Sequence, residues 1–221
     1  MQYLAILGDI RRSEQSPDRG QTQRKLIRIA EQINRSYANQ LAANFVVSSG
    51  DAIQGLLANA DSCCEILLDL ELGLYPSEIR FGLGIGKVST PINPSNSNEI
   101  DGQVYHLARR MLDQVKRNEA SQERVLTNYL LAGADFESFQ MENALFSLIS
   151  VLKKRWTERQ MEVIKAHLST GMNRNETVRQ LGVDPSTVSR SLMASHFFSY
   201  LSAAQALNQA IERRRRSDAG Q

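Results

Sequence analysis

Ile79-Arg80-Phe81-Gly82-Leu83-Gly84-Ile85-Gly86-Lys87-Val88 is the stretch on which the fold turns. Glycine alternates with apolar residues, and a period of two belongs to a β-strand. A dinucleotide-binding reading fails its context, because glycines of that kind open a helix and these lie inside a strand. A strand face lined with glycine lets something approach the sheet closely.

Outward from this strand the first half alternates strand and helix. Tyr3 to Leu7 is apolar and ends at Gly8-Asp9, and a polar stretch with Pro17 and Gly20 follows. Gln21 to Gln40 carries Leu26, Ile29, Ile33 and Tyr37 at helical spacing. Ala43–Ser49 and Ala52–Ala58 read as strands on either side of Gly50-Asp51, a hairpin signal. Ser62 to Leu74 reads as a helix stopped by Gly73 and Pro76, Thr90 to Ile100 as a loop, Gly102 to Lys116 as a helix, and Val125 to Tyr129 as a last strand. This order predicts an α+β fold, an antiparallel sheet backed by helices in the ferredoxin-like or palm class. Beyond residue 133 the pattern is helical. The expected domains are a palm over 1–133, a connecting helix over 134–154, a helix-turn-helix over 155–212 and a basic disordered tail over 213–221.

Composition sets bounds on function. Of 221 residues, 42% are hydrophobic and 23% charged, which is ordinary for a globular protein. The net charge of +2 means that nucleic-acid binding would need a local basic surface. Cys63 and Cys64 are neighbours in a helical segment, where adjacent side chains point about 100° apart, so two free thiols are expected. No apolar run approaches the length of a membrane span and no signal peptide is recognisable, so a cytoplasmic protein with no membrane partner is expected.

In the C-terminal third, Thr157-Glu158-Arg159-Gln160 forms a capping box. Asn173 and Glu176 open a second helix that runs to Leu181, Gly182-Val183 turns, and Asp184-Pro185 starts a third. Glu176 to Leu192 resembles the helix-turn-helix of sigma-factor region 4, although Val178 stands where such motifs hold a small residue. This resemblance implies double-stranded DNA as a partner. Ser186, Thr187, Ser189 and Arg190 would read bases, and Arg174, Asn175 and Arg179 would contact phosphates. The competing reading is a helical protein-interaction module. Phe197, Leu201, Ala204, Leu207 and Ile211 line a further helix face that suits either the protein's own core or a homodimer. Arg213 to Arg216 suits a solvated tail or added phosphate contacts.

Two aspartates stand out by position, Asp9 at the first strand end and Asp51 at the hairpin tip. Neighbouring strand ends could let both share a divalent cation, and turn-forming aspartates are the plainer alternative. Arg109-Arg110 suits a solvated helix face or a phosphate contact.

Asp9-Ile10, Gly50-Asp51-Ala52, Arg80 to Gly86 and Ala108 to Met111 fall in the order seen in class III nucleotide cyclases and, more distantly, GGDEF-type cyclases. That resemblance implies Mg2+ or Mn2+ held by Asp9 and Asp51, and a nucleotide contacted by Arg110 and by His106, which stands where the cyclases keep an asparagine. Val47 replaces their base-selecting lysine, and Ala52-Ile53 replaces the Glu-Phe of the hairpin motif. Across nearly its whole length the chain resembles the SatD family, on Ile6 to Ile10, Ser13, Asp18-Arg19, Gln23, Gly50-Asp51, Gln54 to Leu56, Arg80 to Gly82, Asp101-Gly102 and His106 to Arg109.

Two functions are weighed. One is a DNA-binding transcriptional regulator whose palm binds a metal-nucleotide ligand or mediates dimerisation. The alternative is a metal-dependent nucleotide cyclase or nucleotidyltransferase with an accessory helix-turn-helix. The lost lysine and glutamate favour the first.

Overall fold

Along the chain come β1 (Tyr3–Ile10), α1 (Arg19–Ser36), β2 (Leu41–Ser48), β3 (Ala52–Leu57), α2 (Cys63–Leu74), β4 (Ile79–Gly86), α3 (Gln103–Ser121) and β5 (Tyr129–Ala132). Five helices follow: α4 (Gln140–Lys154), α5 (Glu158–Ser169), α6 (Arg174–Leu181), α7 (Pro185–Ala194) and α8 (Phe197–Ser217). The computed structural model describes residues 1–11, 19–48, 50–121, 127–135 and 137–217. Ser13, Pro17, Asp18, Ser49 and Val125 of the sequence reading lie outside them, as do residues 218–221 of the expected tail.

The strands form one mixed sheet in the order β2-β3-β1-β4-β5. β1 pairs antiparallel with β3 and β4, β2 pairs antiparallel with β3, and β5 lies parallel to β4. The last strand departs from expectation in position, at Tyr129–Ala132, and in direction. All four of its residues are buried, and a parallel strand covered on both faces reads as an unbroken apolar run without alternation.

The two sheet faces have different covers. Leu4, Ile6 and Ile10 of β1 and Phe81, Leu83 and Ile85 of β4 join the core formed with α1, α2, α4 and α8. Ala5 and Leu7 face the other way, against Val104, Tyr105, Ala108 and Leu112 of α3. Here the glycines of β4 act. A Cβ on Gly82 would lie 2.0 Å from the Ala108 carbonyl oxygen and 2.3 Å from the Leu112 nitrogen. One on Gly84 would lie 2.3 Å from the Val104 carbonyl oxygen. What approaches the glycine face is the backbone of α3.

The helical remainder closes back onto the sheet. Asn208 of α8 accepts from the Cys64 N–H (2.9 Å) and donates to the Asp61 carbonyl (2.9 Å) and to Glu65 (2.7 Å). Glu212 accepts from the Ala60 N–H (2.9 Å) and from Arg215, which donates to the Gln2 carbonyl (2.8 Å). One continuous buried cluster runs from Leu4 and Ile6 through α2 to Phe197, Leu207 and Ile211. Of the two uses weighed for that last stripe, packing on the protein's own core is the one seen. The basic run is corrected: 213–216 belong to α8, where Arg214 holds Glu142 (3.1 Å) and Arg215 and Arg216 hold Glu212 (2.7 and 2.6 Å). Carboxylates within reach tie these side chains down more strongly than water does. Cys63 and Cys64 are buried free thiols.

Two predictions follow from this packing. Gly82→Ala and Gly84→Ala should each destabilise the fold by about 3 kcal/mol, read as a lower urea midpoint, because rigid backbone meets the new methyl group. Burial pushes the Glu212 carboxyl up, but hydrogen bonds from Arg215, the Ala60 N–H and Arg216 outweigh it and hold the group down at about 2. A depressed carboxyl stabilises the fold above its unfolded pKa, and that contribution is lost as pH falls through the folded value. Glu212→Gln should therefore cost about 3 kcal/mol at pH 7, with a deficit that shrinks from about pH 4.5 towards pH 2 in urea titrations.

Candidate functional site

Asp9 is the penultimate residue of β1, opposite Ala52 of β3 on one side and Arg80 of β4 on the other. Asp51 is in the β2–β3 turn, which Gly50 makes at φ +83°. The Ile10 N–H donates to the Asp51 carbonyl (3.1 Å), so the chain brings the two aspartates to one end of the sheet.

The Asp9 carboxylate is 15% exposed, and both its oxygens are engaged by cations. Arg80 reaches Oδ2 through Nε (2.9 Å) and Nη2 (2.8 Å), and Lys116 Nζ lies 3.1 Å from Oδ1. Arg80 also holds Glu119 (2.8 Å), one turn along α3 from Lys116, and Arg11 reaches Glu119 (3.5 Å) and Glu78 (2.7 Å). Arg80 can serve both acids because it stands directly across the ladder from Asp9, on the face that α3 covers.

On that face lies a polar pocket of about 440 Å³, lined by Ser48, Gln54, Asn98, Asp101, Tyr105 and Arg109. Gln54 is opposite Leu7 in the register and Ala52 opposite Asp9, so pocket and carboxylate share one face about 7 Å apart along the strand. Arg109 has no hydrogen bond or ion pair among the described residues. Tyr105 is buried, and its hydroxyl has no partner in hydrogen-bonding geometry. Burial pushes the phenol up, with nearby Ser97 opposing.

The residues expected to grip a nucleotide do not line this pocket. His106 is 72% exposed, 3.5 Å from Asp101, and Arg110 is exposed without an ion pair or hydrogen bond among the described residues. The phase of α3 explains this. Tyr105, Ala108 and Leu112 face the sheet, so Arg109 stands at the groove and Arg110 one step round towards solvent. Tyr105, Lys116 and Glu119 escaped the sequence reading, although that same phase marks them, whereas Arg109 stands in it beside Arg110 as a residue suited to a phosphate contact.

In the C-terminal helices, Arg174, Asn175, Arg179, Ser186 and Arg190 are exposed, and Thr187 and Ser189 are half-buried. Arg190 turns back to Ser186 (3.3 Å), and Arg174 to the Pro185 carbonyl (3.3 Å). Among the described residues no group of three or more His, Cys, Asp or Glu is placed to hold a metal, and no helix is long and apolar enough to cross a membrane.

The sequence pattern of the SatD family matches residues 3–211. The chain belongs to the SatD family. No curated protein matches this SatD-family chain. Among solved structures it is similar to the catalytic core of a rhodopsin-guanylyl cyclase with converted specificity in complex with ATPalphaS, at 21% identity over 51% of this chain and 71% of that one, TM-score 0.41. It is similar also to the monomeric guanylyl cyclase domain of a fusion protein from the aquatic fungus Blastocladiella emersonii, at 21% over 51% and 74%, TM-score 0.41. A bacterial light-regulated adenylyl cyclase is 17% identical over 63% and 79%, TM-score 0.44.

At these identities the likeness is one of fold. The expectation of a DNA-binding transcriptional regulator is corrected: the solved structures to which the chain is similar are cyclase domains. The resemblance of Glu176–Leu192 to sigma-factor region 4 finds no support in them. Three arginines of the 213–216 run are engaged by Glu142 and Glu212.

Arg80→Ala should cost about 1–2 kcal/mol of stability, since Asp9 and Glu119 are both part-buried and lose their shared cation. Arg110→Ala should stay within about 0.5 kcal/mol. Chemical denaturation of the two variants side by side checks this.

Proposed function

We propose that this SatD-family chain takes a nucleoside triphosphate, with Mg2+ or Mn2+, in the groove between α3 and the β1–β3 end of the sheet. Its chemistry would be of the cyclase or nucleotidyltransferase kind. The observation that carries this is the placement of Asp9, close to the Asp51 turn, on the same sheet face as the polar pocket at Tyr105 and Arg109. Arg109 and Lys116 are seven residues apart on α3, about 10 Å along its axis, a spacing that suits an extended polyphosphate.

The donor set fits a hard cation. Two carboxylates supply only part of a magnesium shell, and substrate phosphates and water ordinarily complete it. Asp9 and Asp51 would hold the ion, which when bound supplies charge neutralisation at the phosphates. Lys116, 38% exposed on a flexible stem, can swing from Asp9 towards a phosphate, while Arg80 keeps Glu119 and holds Asp9 in place. Arg109, without a partner among the described residues, is a pocket-lining cation open to the phosphate chain. Gln54 and Ser48 offer hydrogen bonds to the uncharged part of the nucleotide.

Turnover should be slow. Val47 cannot select a base by hydrogen bonding, and His106 is largely exposed and does not line the pocket. A lost transition-state contact of the electrostatic kind costs about 3 kcal/mol, or two orders of magnitude in rate. Titration calorimetry of ATP and GTP with Mn2+ should show saturable binding, weakened about tenfold or more by Asp51→Ala and by Arg109→Ala and less than about twofold by Arg110→Ala. Equal heats for wild type and Asp51→Ala would sink the proposal. Long incubations assayed for cyclic nucleotide and pyrophosphate then decide whether slow cyclisation accompanies binding.

A further inference from the structure

On the opposite face of the sheet, a second cleft of about 670 Å³ opens between the end of α2, the start of β4 and the end of α4. We infer that it is a binding site for a small organic anion with an apolar body, a medium-chain or aromatic carboxylate. The inference goes beyond the nucleotide groove and does not depend on it.

The volume lies within the range of small-molecule sites, where an apolar lining with a few placed polar groups is the usual construction. The apolar wall is Leu68, Leu72, Met161 and Trp156. Charge at the mouth is unbalanced. Lys153 is paired with Glu71, and Arg11 with Glu78, so those four groups cancel. Lys154 and Arg155, both exposed and both lining the cleft, have no side-chain hydrogen bond or ion pair among the described residues. Two uncompensated cations beside an apolar cavity favour a ligand with a negative head and an apolar tail, and oppose a cationic one. Asn128, which also lines the cleft, has its carbonyl oxygen occupied by Arg11 (3.0 Å) and one amide N–H turned to Glu71 (3.5 Å), which leaves the second amide N–H to offer an anion.

The cleft carries its own reporter. Trp156 is the only tryptophan in the chain, is almost fully buried, and is held in place by its indole N–H on the Ser195 carbonyl (2.8 Å). Octanoate, octanol and octylamine are three probes of one length that differ in head charge. Added to the full chain without nucleotide or metal, octanoate should change Trp156 fluorescence saturably. Octanol should bind about tenfold more weakly, and octylamine should give no saturable change. Lys154→Glu with Arg155→Glu should weaken octanoate at least about tenfold and lower the urea midpoint only modestly, because both side chains are exposed and what is lost is their favourable charge at the C-terminal end of α4. No saturable change with octanoate, equal response to octylamine, or undiminished affinity in the double variant would each overturn the inference.

Discussion

The backbone of α3 lies against the glycine face of β4 closer than any side chain would permit, and the site depends on that contact. With side chains at 82 and 84 the helix would have to stand off to the ordinary distance of helix on sheet. Lys116 and Glu119 would then no longer reach Asp9 and Arg80 at about 3 Å. The glycines give up side-chain burial and strand propensity at those positions. In return, polar groups on a helix come within hydrogen-bonding range of a strand end.

That closeness sets the electrostatics of Asp9. A part-buried carboxylate needs cations or donors, and here Arg80 across the ladder and Lys116 from the helix supply them. The two partners are not equivalent. Arg80 is fixed between two acids, whereas Lys116 is a single point charge on a long exposed stem. A site built this way is held together in the absence of ligand and has one arm free to move. Arg11 extends the network through Glu119 and Glu78 to the edge of the second cleft.

The helical region is bound to the sheet by buried polar contacts as well as by apolar packing. Asn208, Glu212 and Arg215 are each almost fully buried, and each satisfies backbone groups of the loop before α2, the start of α2, or the N-terminus. Groups buried in this way are costly to strand, which makes the docking of α8 specific in register.

Much was legible in the sequence, wherever a local rule applied. The period of two in Ile79–Gly86, the Gly50-Asp51 hairpin, the Thr157 capping box and the Asp184-Pro185 helix start each follow from contacts within a few residues. Even the close approach to the glycine face was readable as a need, though not what would fill it. The tertiary structure alone decided the rest. The last strand, buried on both faces, had no alternation to reveal it. The arginines of 214–216 looked like a solvated run because their partners Glu142 and Glu212 become informative only once α8 folds back. Arg109 and Arg110 are adjacent and chemically identical, and which one faces the groove is fixed by the rotation of α3 on β4. A sequence carries the period of a helix, but only packing against a second element sets the direction in which each residue points.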